Sequence, residues 1–142
     1  MIEFDKETVT ARKCPYCGVK PDYVDSKVVY GKSYGMIYYC KDCDAYVGVH
    51  HGTSKRSLGR LADRELRQAK KRAHFYFDQL WTRAAEEGRE KKKSRKLAYA
   101  WLGDKIGIPK RFTHIGMFDI DLCNKVVEYC IPYCYEKTYR EN

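Results

Sequence analysis

The chain has 142 residues, 28 Lys and Arg against 19 Asp and Glu for a net charge of +9, and 44% hydrophobic residues. That apolar share is too high for a disordered tail and sufficient for a packed domain of ordinary size. No apolar run reaches the roughly 18–20 residues that span a bilayer, so no membrane partner is expected. The first residues, Met1-Ile-Glu-Phe-Asp-Lys6, lack the basic-then-apolar run of a signal peptide. Seven cysteines, an odd number, disfavour a fully paired secreted framework and point to a reducing, cytoplasmic compartment.

In chain order, Cys14-Pro-Tyr-Cys17-Gly18 and Cys40-Lys-Asp-Cys43-Asp44 come first, with 22 residues between the pairs. Each pair places two thiolates at the tip of a tight turn, and two tips can surround one tetrahedral zinc ion. One pair alone could be a redox dithiol, whereas two favour a metal. The spacing therefore predicts Cys14, Cys17, Cys40 and Cys43 as ligands of a single structural zinc. Four protein thiolates leave no open coordination position, so this zinc should hold the fold and perform no chemistry. Gly18 suits the positive φ that lets backbone N–H groups face the sulfurs.

Val28–Tyr30 and Met36–Tyr39 read as strands around the turn segment Gly31–Gly35, and Ala45–Val49 reads as a further strand. Residues 1–53 are thus expected to form a zinc ribbon. Its seven tyrosines from Tyr16 to Tyr46 could stack on bases or pack a ribbon too small for an aliphatic core. Residues 54–142 form a basic helical region expected to pack with the ribbon as one α+β unit of about three helices.

The first of these helices is expected over 64–87, capped by Asp63 and stopped by Gly88. Leu66, Ala69, Ala73, Phe77, Leu80, Trp81 and Ala84 fall within about 120° of arc and predict its buried stripe. Beside them lies a polar strip of Arg64, Arg67, Lys71, His74 and Asp78, either a functional border or an ordinary flank of paired charges. Residues 89–96 read as a basic linker, with Ser94 capping a second helix that carries Leu97, Ala98, Trp101, Leu102 and Ile106 and closes at Gly107. Asp119 is placed to cap a third helix with Leu122, Cys123, Val126, Val127 and Cys130 on one side. About a dozen residues separate these last two helices, whereas a DNA-reading helix-turn-helix has a turn of only about 3–4.

Charge is segregated. Residues 54–111 carry 18 Lys and Arg against seven Asp and Glu, while the rest of the chain is slightly acidic. Bound zinc with its four thiolates would lower the whole to about +7. A localised cationic field attracts polyanions, although a charged coat that merely keeps a protein dissolved has the same composition.

Cys-Asp-Ala-Tyr-Val-Gly (43–48) is followed by His51-Gly-Thr53, Leu58-Gly-Arg-Leu-Ala62, Glu65-Leu-Arg67, Ala73-His74 and Phe77-Asp78-Gln-Leu-Trp81. Ala98-Tyr-Ala-Trp-Leu102 and His114-Ile-Gly-Met-Phe-Asp119 come after them. From about Cys14 to Glu128, this order and spacing resembles the small zinc-finger-containing domain family met mostly in phage and prophage genomes. The resemblance implies a zinc ribbon and a phage-like origin, hence host cytoplasm, and names no activity. In the family pattern a proline precedes the Leu-Gly and a cysteine precedes the His-Ile-Gly. Ser57 and Thr113 stand at those places here, and Thr113 counts against a second metal site there.

Three functional readings follow. The favoured one is a non-catalytic, nucleic-acid-associated protein binding DNA or RNA through Arg67, Lys70, Lys71, Arg72, Lys91, Lys92, Lys93, Arg95 and Lys96. The second is an adaptor or inhibitor docking on a host protein, such as a defence or nucleic-acid enzyme. The third is a metal-dependent nuclease drawing on His51, His74, Asp78, His114 and Asp119, with histidine as base and carboxylates holding magnesium. No closely spaced carboxylate pair with a lysine supports the third, and those residues also suit turns and caps. Cys123, Cys130 and Cys134, with His114, could hold a second zinc, but the seven-residue spacing of Cys123 and Cys130 equally suits small buried side chains on one helix face.

Overall fold

The computed structural model describes residues 2–52 and 54–141. Its elements in order are α1 (Lys6–Val9), β1 (Asp22–Asp25), α2 (Lys27–Tyr30), β2 (Met36–Cys40), β3 (Ala45–Gly48), α3 (Arg64–Glu86), α4 (Lys91–Ile106) and α5 (Ile120–Cys130). Short 3-10 turns at Lys110–Phe112, Ile115–Met117 and Ile131–Tyr133 complete it. The protein is α+β, with an N-terminal ribbon sheet and three long helices. It divides into two compact units, one of residues 4–67 with 116–118 and the other of the remaining residues. Residues 54–67 thus group with the ribbon.

In the ribbon unit β1, β2 and β3 form an antiparallel meander in that order. Tyr23 pairs with Tyr38, Tyr39 with Tyr46, and Cys40 with Ala45. The strand expected at Val28–Tyr30 is instead the helical turn α2, and the first strand lies earlier, at Asp22–Asp25. Side chains between the two explain the difference. The Asp25 carboxylate accepts from the Lys27 N–H at 2.8 Å and the Ser33 hydroxyl at 2.9 Å, and the Ser26 hydroxyl accepts from the Tyr34 N–H at 2.7 Å. Such local bonds offer the backbone an alternative to a ladder, and β-branched content alone does not outweigh them.

Two glycines fix a backbone crossing. Arg60 N–H donates to the Gly116 carbonyl at 3.0 Å. A Cβ on Gly59, whose φ is +157°, would lie 1.9 Å from that oxygen, and one on Gly116 would lie 2.3 Å from the Leu58 carbonyl oxygen. The Leu-Gly-Arg and His-Ile-Gly segments therefore need glycine because two main chains touch. Ser57 serves the same place, its hydroxyl donating to the Gly59 carbonyl at 2.9 Å.

α3 starts as expected, with the Asp63 carboxylate accepting from Leu66 N–H at 2.9 Å. Of the expected stripe, Leu66, Ala73 and Phe77 are fully buried, while Ala69, Leu80, Trp81 and Ala84 are half-buried. Tyr76, outside the stripe, is buried as well because its hydroxyl donates to the Lys137 carbonyl at 2.8 Å. α4 starts three residues before Ser94. The basic segment is the first two turns of a helix rather than a linker, and Ser94 is a buried residue inside it. Lysines and arginines have good helix propensity, so nothing in 91–93 stops the helix from extending back to Glu90. Leu97 is 69% exposed, whereas Leu102 is fully buried. Gly107 ends α4 at φ +86°. Asp119 caps α5 through Leu122 N–H at 2.9 Å, and Leu122, Cys123, Val126, Val127 and Cys130 are its buried side.

Candidate metal centre and basic surface

The four cysteines meet where the two turns close the sheet. Their sulfurs all lie within 4.8 Å of one another, and Cys17 Sγ is 3.6 Å from Cys40 Sγ. A tetrahedral zinc site with Zn–S bonds of about 2.3 Å separates its sulfurs by about 3.8 Å, so the cluster fits one zinc ion. Among the described residues this is the one group of three or more His, Cys, Asp and Glu side chains close enough to hold an ion.

Each turn is built the same way. Gly18 follows Cys17 at φ +80°, and Asp44 follows Cys43 at φ +50°. In the first turn Gly18 N–H donates to the Cys14 carbonyl at 2.9 Å and Cys14 N–H to the Val19 carbonyl at 2.8 Å. The Val19 N–H facing its sulfur lowers the Cys17 thiol below the ordinary range. Burial pushes the Cys40 thiol up, with the Cys43 N–H opposing. The Cys43 thiol is raised chiefly by the hydrogen it shares with Cys17. In metal-free form some of these thiols hold protons, which zinc displaces on binding. Cys14 and Cys40 are buried beside Ala11, Ala45, Val47 and Leu61. Two of the four ligands thus belong to a small apolar core, with Cys43 packed against it and Cys17 exposed.

Ribbon and helix start are joined by Arg67. Its guanidinium donates to the Ala62 carbonyl at 2.7 Å and to the Asp44 carbonyl at 3.2 Å, and lies 4.3 Å from the centre of the Tyr46 ring. Tyr46 stands edge-on to Tyr30 at 5.7 Å. Arg67, expected at a nucleic-acid surface, also braces the second cysteine turn. The ribbon tyrosines find partners without being fully buried: Tyr23 lies 5.1 Å from Tyr38 with the rings tilted, the Tyr38 hydroxyl donates to the Lys55 carbonyl at 2.6 Å, and the Tyr16 hydroxyl accepts from Asp63 N–H at 3.1 Å. Tyr16, Tyr30 and Tyr34 stay exposed.

The other cations named from the sequence lie on α3 and α4. Lys71 and Arg72 are exposed and Lys70 is half-buried. Lys91, Lys92, Lys93, Arg95 and Lys96 are all exposed in the first six residues of α4. Lys91 Nζ lies 5.5 Å from the Trp81 ring centre, and the Arg95 guanidinium lies 5.5 Å from that of Tyr99.

The histidines and carboxylates of the nuclease reading divide among separate roles. His51 is exposed in a bend, and Asp119 is the α5 cap. His74 Nδ1 lies 3.5 Å from Asp78 Oδ1, which also accepts from Trp81 Nε1 at 2.9 Å. Burial alone would raise the Asp78 carboxyl, but those two partners outweigh it and hold it below the usual range. His114 meets the Tyr99 ring at 5.4 Å. Cys123, Cys130 and Cys134 are buried thiols. Cys134 donates to the Tyr76 and Cys130 carbonyls, and burial pushes Cys130 up to about 12. Thr113, where the resembling family has cysteine, is buried with its hydroxyl donating to the Pro109 carbonyl at 2.9 Å.

A three-stranded ribbon whose two cysteine turns converge on one tetrahedral site defines a zinc-ribbon protein. The family model for the zinc-finger-containing domain matches residues 10–133, and the chain belongs to that family. Searches of curated proteins and of solved structures found no match. Among the described residues, no helix is long and apolar enough to cross a membrane.

Proposed function

We propose that this is a zinc-stabilised, non-catalytic protein that binds nucleic acid through the exposed cations of α3 and α4. The observation that carries this reading is the start of α4. Five cations occupy its first six residues, three of them, Lys91, Lys92 and Lys93, in the first turn at the positive end of the helix dipole, where no acidic residue stands and the Glu90 cap makes no side-chain bond. Each misplaced charge costs about 0.3–1 kcal/mol at low salt, a local penalty that a bound polyanion reverses. Lys71 and Arg72 extend the cationic surface, while zinc and Arg67 act by holding the ribbon rigid. The phage-type resemblance suggests action in a host cytoplasm, where thiolates stay reduced and able to hold zinc.

Binding of labelled DNA and RNA, followed by anisotropy across a salt series, tests this. If five cations meet phosphates, affinity for a single strand falls roughly a hundredfold between 50 and 200 mM salt. Replacing Lys92, Lys93 and Lys96 together with glutamate should abolish binding at 100 mM salt. The absence of any salt-sensitive binding at low ionic strength refutes the proposal.

A further inference from the structure

A groove of about 340 Å³ opens within the helical unit, and its walls include Leu80, Arg89, Ser94, Leu97, Trp101 and Tyr133. Trp101 and Tyr133 meet edge-to-face, ring centres 5.5 Å apart at 86°. Leu97 is 69% exposed and Tyr133 59% exposed, so the fold leaves this apolar wall uncovered. The wall continues directly into the cationic turns of α4. Leu97 on the groove shares a helix face with Lys93, four residues before it, and Arg89 lines the groove from the segment that precedes α4. An apolar slot with aromatic walls, bordered by cations and offering a hydroxyl and a guanidinium, matches a nucleotide in both halves, flat base and charged phosphate.

We propose that the groove takes one unpaired base of a single-stranded nucleic acid whose phosphates follow the α4 cations. This rests on the nucleic-acid reading above and adds the substrate class. A base within a duplex has both faces covered by its stacked neighbours and cannot enter such a slot, whereas a single strand can turn a base out at little cost. The volume lies at the small end of small-ligand sites, the size class of one base rather than a stack. Charge decides between occupants. The seven Lys and Arg of 83–96 outnumber three Glu, which favours a ligand with one negative charge per repeat.

The test compares labelled 12-nucleotide DNA and RNA strands with hairpin duplexes of the same composition, against the zinc-loaded full chain at 50 mM salt. The single strands are expected to bind tighter than the duplexes and to quench tryptophan emission. Trp101→Ala should weaken single-strand binding about 5–150-fold, the usual range for losing one base stack, and leave duplex binding unchanged. Because Trp101 is half-buried, Tyr133→Ala on the exposed wall is the second variant, with at least a threefold loss expected. Equal affinity for the two forms, or single-strand affinity unchanged in both variants, overturns the groove assignment while salt-sensitive binding leaves the basic-surface reading standing. Binding to neither form removes both. Quenching by an acidic, leucine-rich peptide with no preference for single strands would give the groove to a protein partner and overturn the proposal.

Discussion

Arg67 is the residue whose role differs most between a nucleic-acid contact and a structural brace, and stability separates the two. Arg67→Met keeps the apolar stem and removes the guanidinium. Charge-assisted hydrogen bonds contribute about 1.5–3 kcal/mol when shielded and much less in water. The 2.7 Å bond to the part-buried Ala62 carbonyl belongs near the lower figure, and the exposed 3.2 Å bond to Asp44 adds a few tenths. The Tyr46 contact at 4.3 Å adds about 0.5–1 kcal/mol. The expected loss is about 2–3 kcal/mol, a fall in Tm of roughly 6–12 °C for a chain of this length. Zinc-saturated protein should be melted by circular dichroism, with Arg67→Lys as control. Lysine keeps the charge but has a shorter reach and lacks the planar guanidinium that lies against Tyr46, so it should recover less than half of the loss. If Arg67→Met melts within about 2 °C of the parent while oligonucleotide affinity drops severalfold, the brace is wrong and Arg67 reads phosphate.

Metal analysis should give one zinc per chain, and a strong chelator should unfold the ribbon. Structural zinc contributes about 10–16 kcal/mol, as much as a whole domain's stability, so identical melts with and without chelator would refute the site. Asp44→Gly should stabilise the protein by up to about 1 kcal/mol, since φ +50° is strained for any residue with a Cβ, whereas Asp44→Val should destabilise it by more than that. A denaturant series on both variants checks the order, and a destabilised glycine variant would show that the Asp44 side chain has a role of its own. Gly116→Ala should fail to fold or lose more than about 3 kcal/mol, because its Cβ meets the Leu58 carbonyl oxygen at 2.3 Å. A soluble variant with the parent's melting curve would place that crossing wrongly.

The ligand set was legible because it depends on residue type and spacing alone: a thiolate pair at each turn tip identifies itself. The caps of α3 and α5 were legible for a similar reason, since Asp63 and Asp119 each bond the N–H three residues on, whereas Ser94 does not cap α4. What stayed hidden depends on distant partners. Nothing near Gly59 announces that Gly116 crosses it, and nothing near Arg67 announces two carbonyls and a ring on the ribbon. Asp44 could have been found by setting the two turns side by side, where it stands in the place of Gly18. α2 was missed because strand-forming Val-Val-Tyr lies just after Asp25 and Ser26, whose side chains turn the chain first. Helical period alone does not give burial, since a periodic apolar side chain such as Leu97 can face a groove left open.

The start of α4 bears on why the protein is basic at all. A coat that only keeps a chain dissolved has no reason to put its cations where the helix dipole opposes them, since the same residues near Ile106 would be favoured by it. Nor would it set them one turn from an exposed Leu97 and a Trp101–Tyr133 wall, because uncovered apolar surface promotes association and works against solubility. Two local rules are broken within one stretch of helix, and a single-stranded polyanion satisfies both, its phosphates neutralising the cations and its base covering the wall. That common remedy, more than the net charge, is what supports the proposed nucleic-acid ligand.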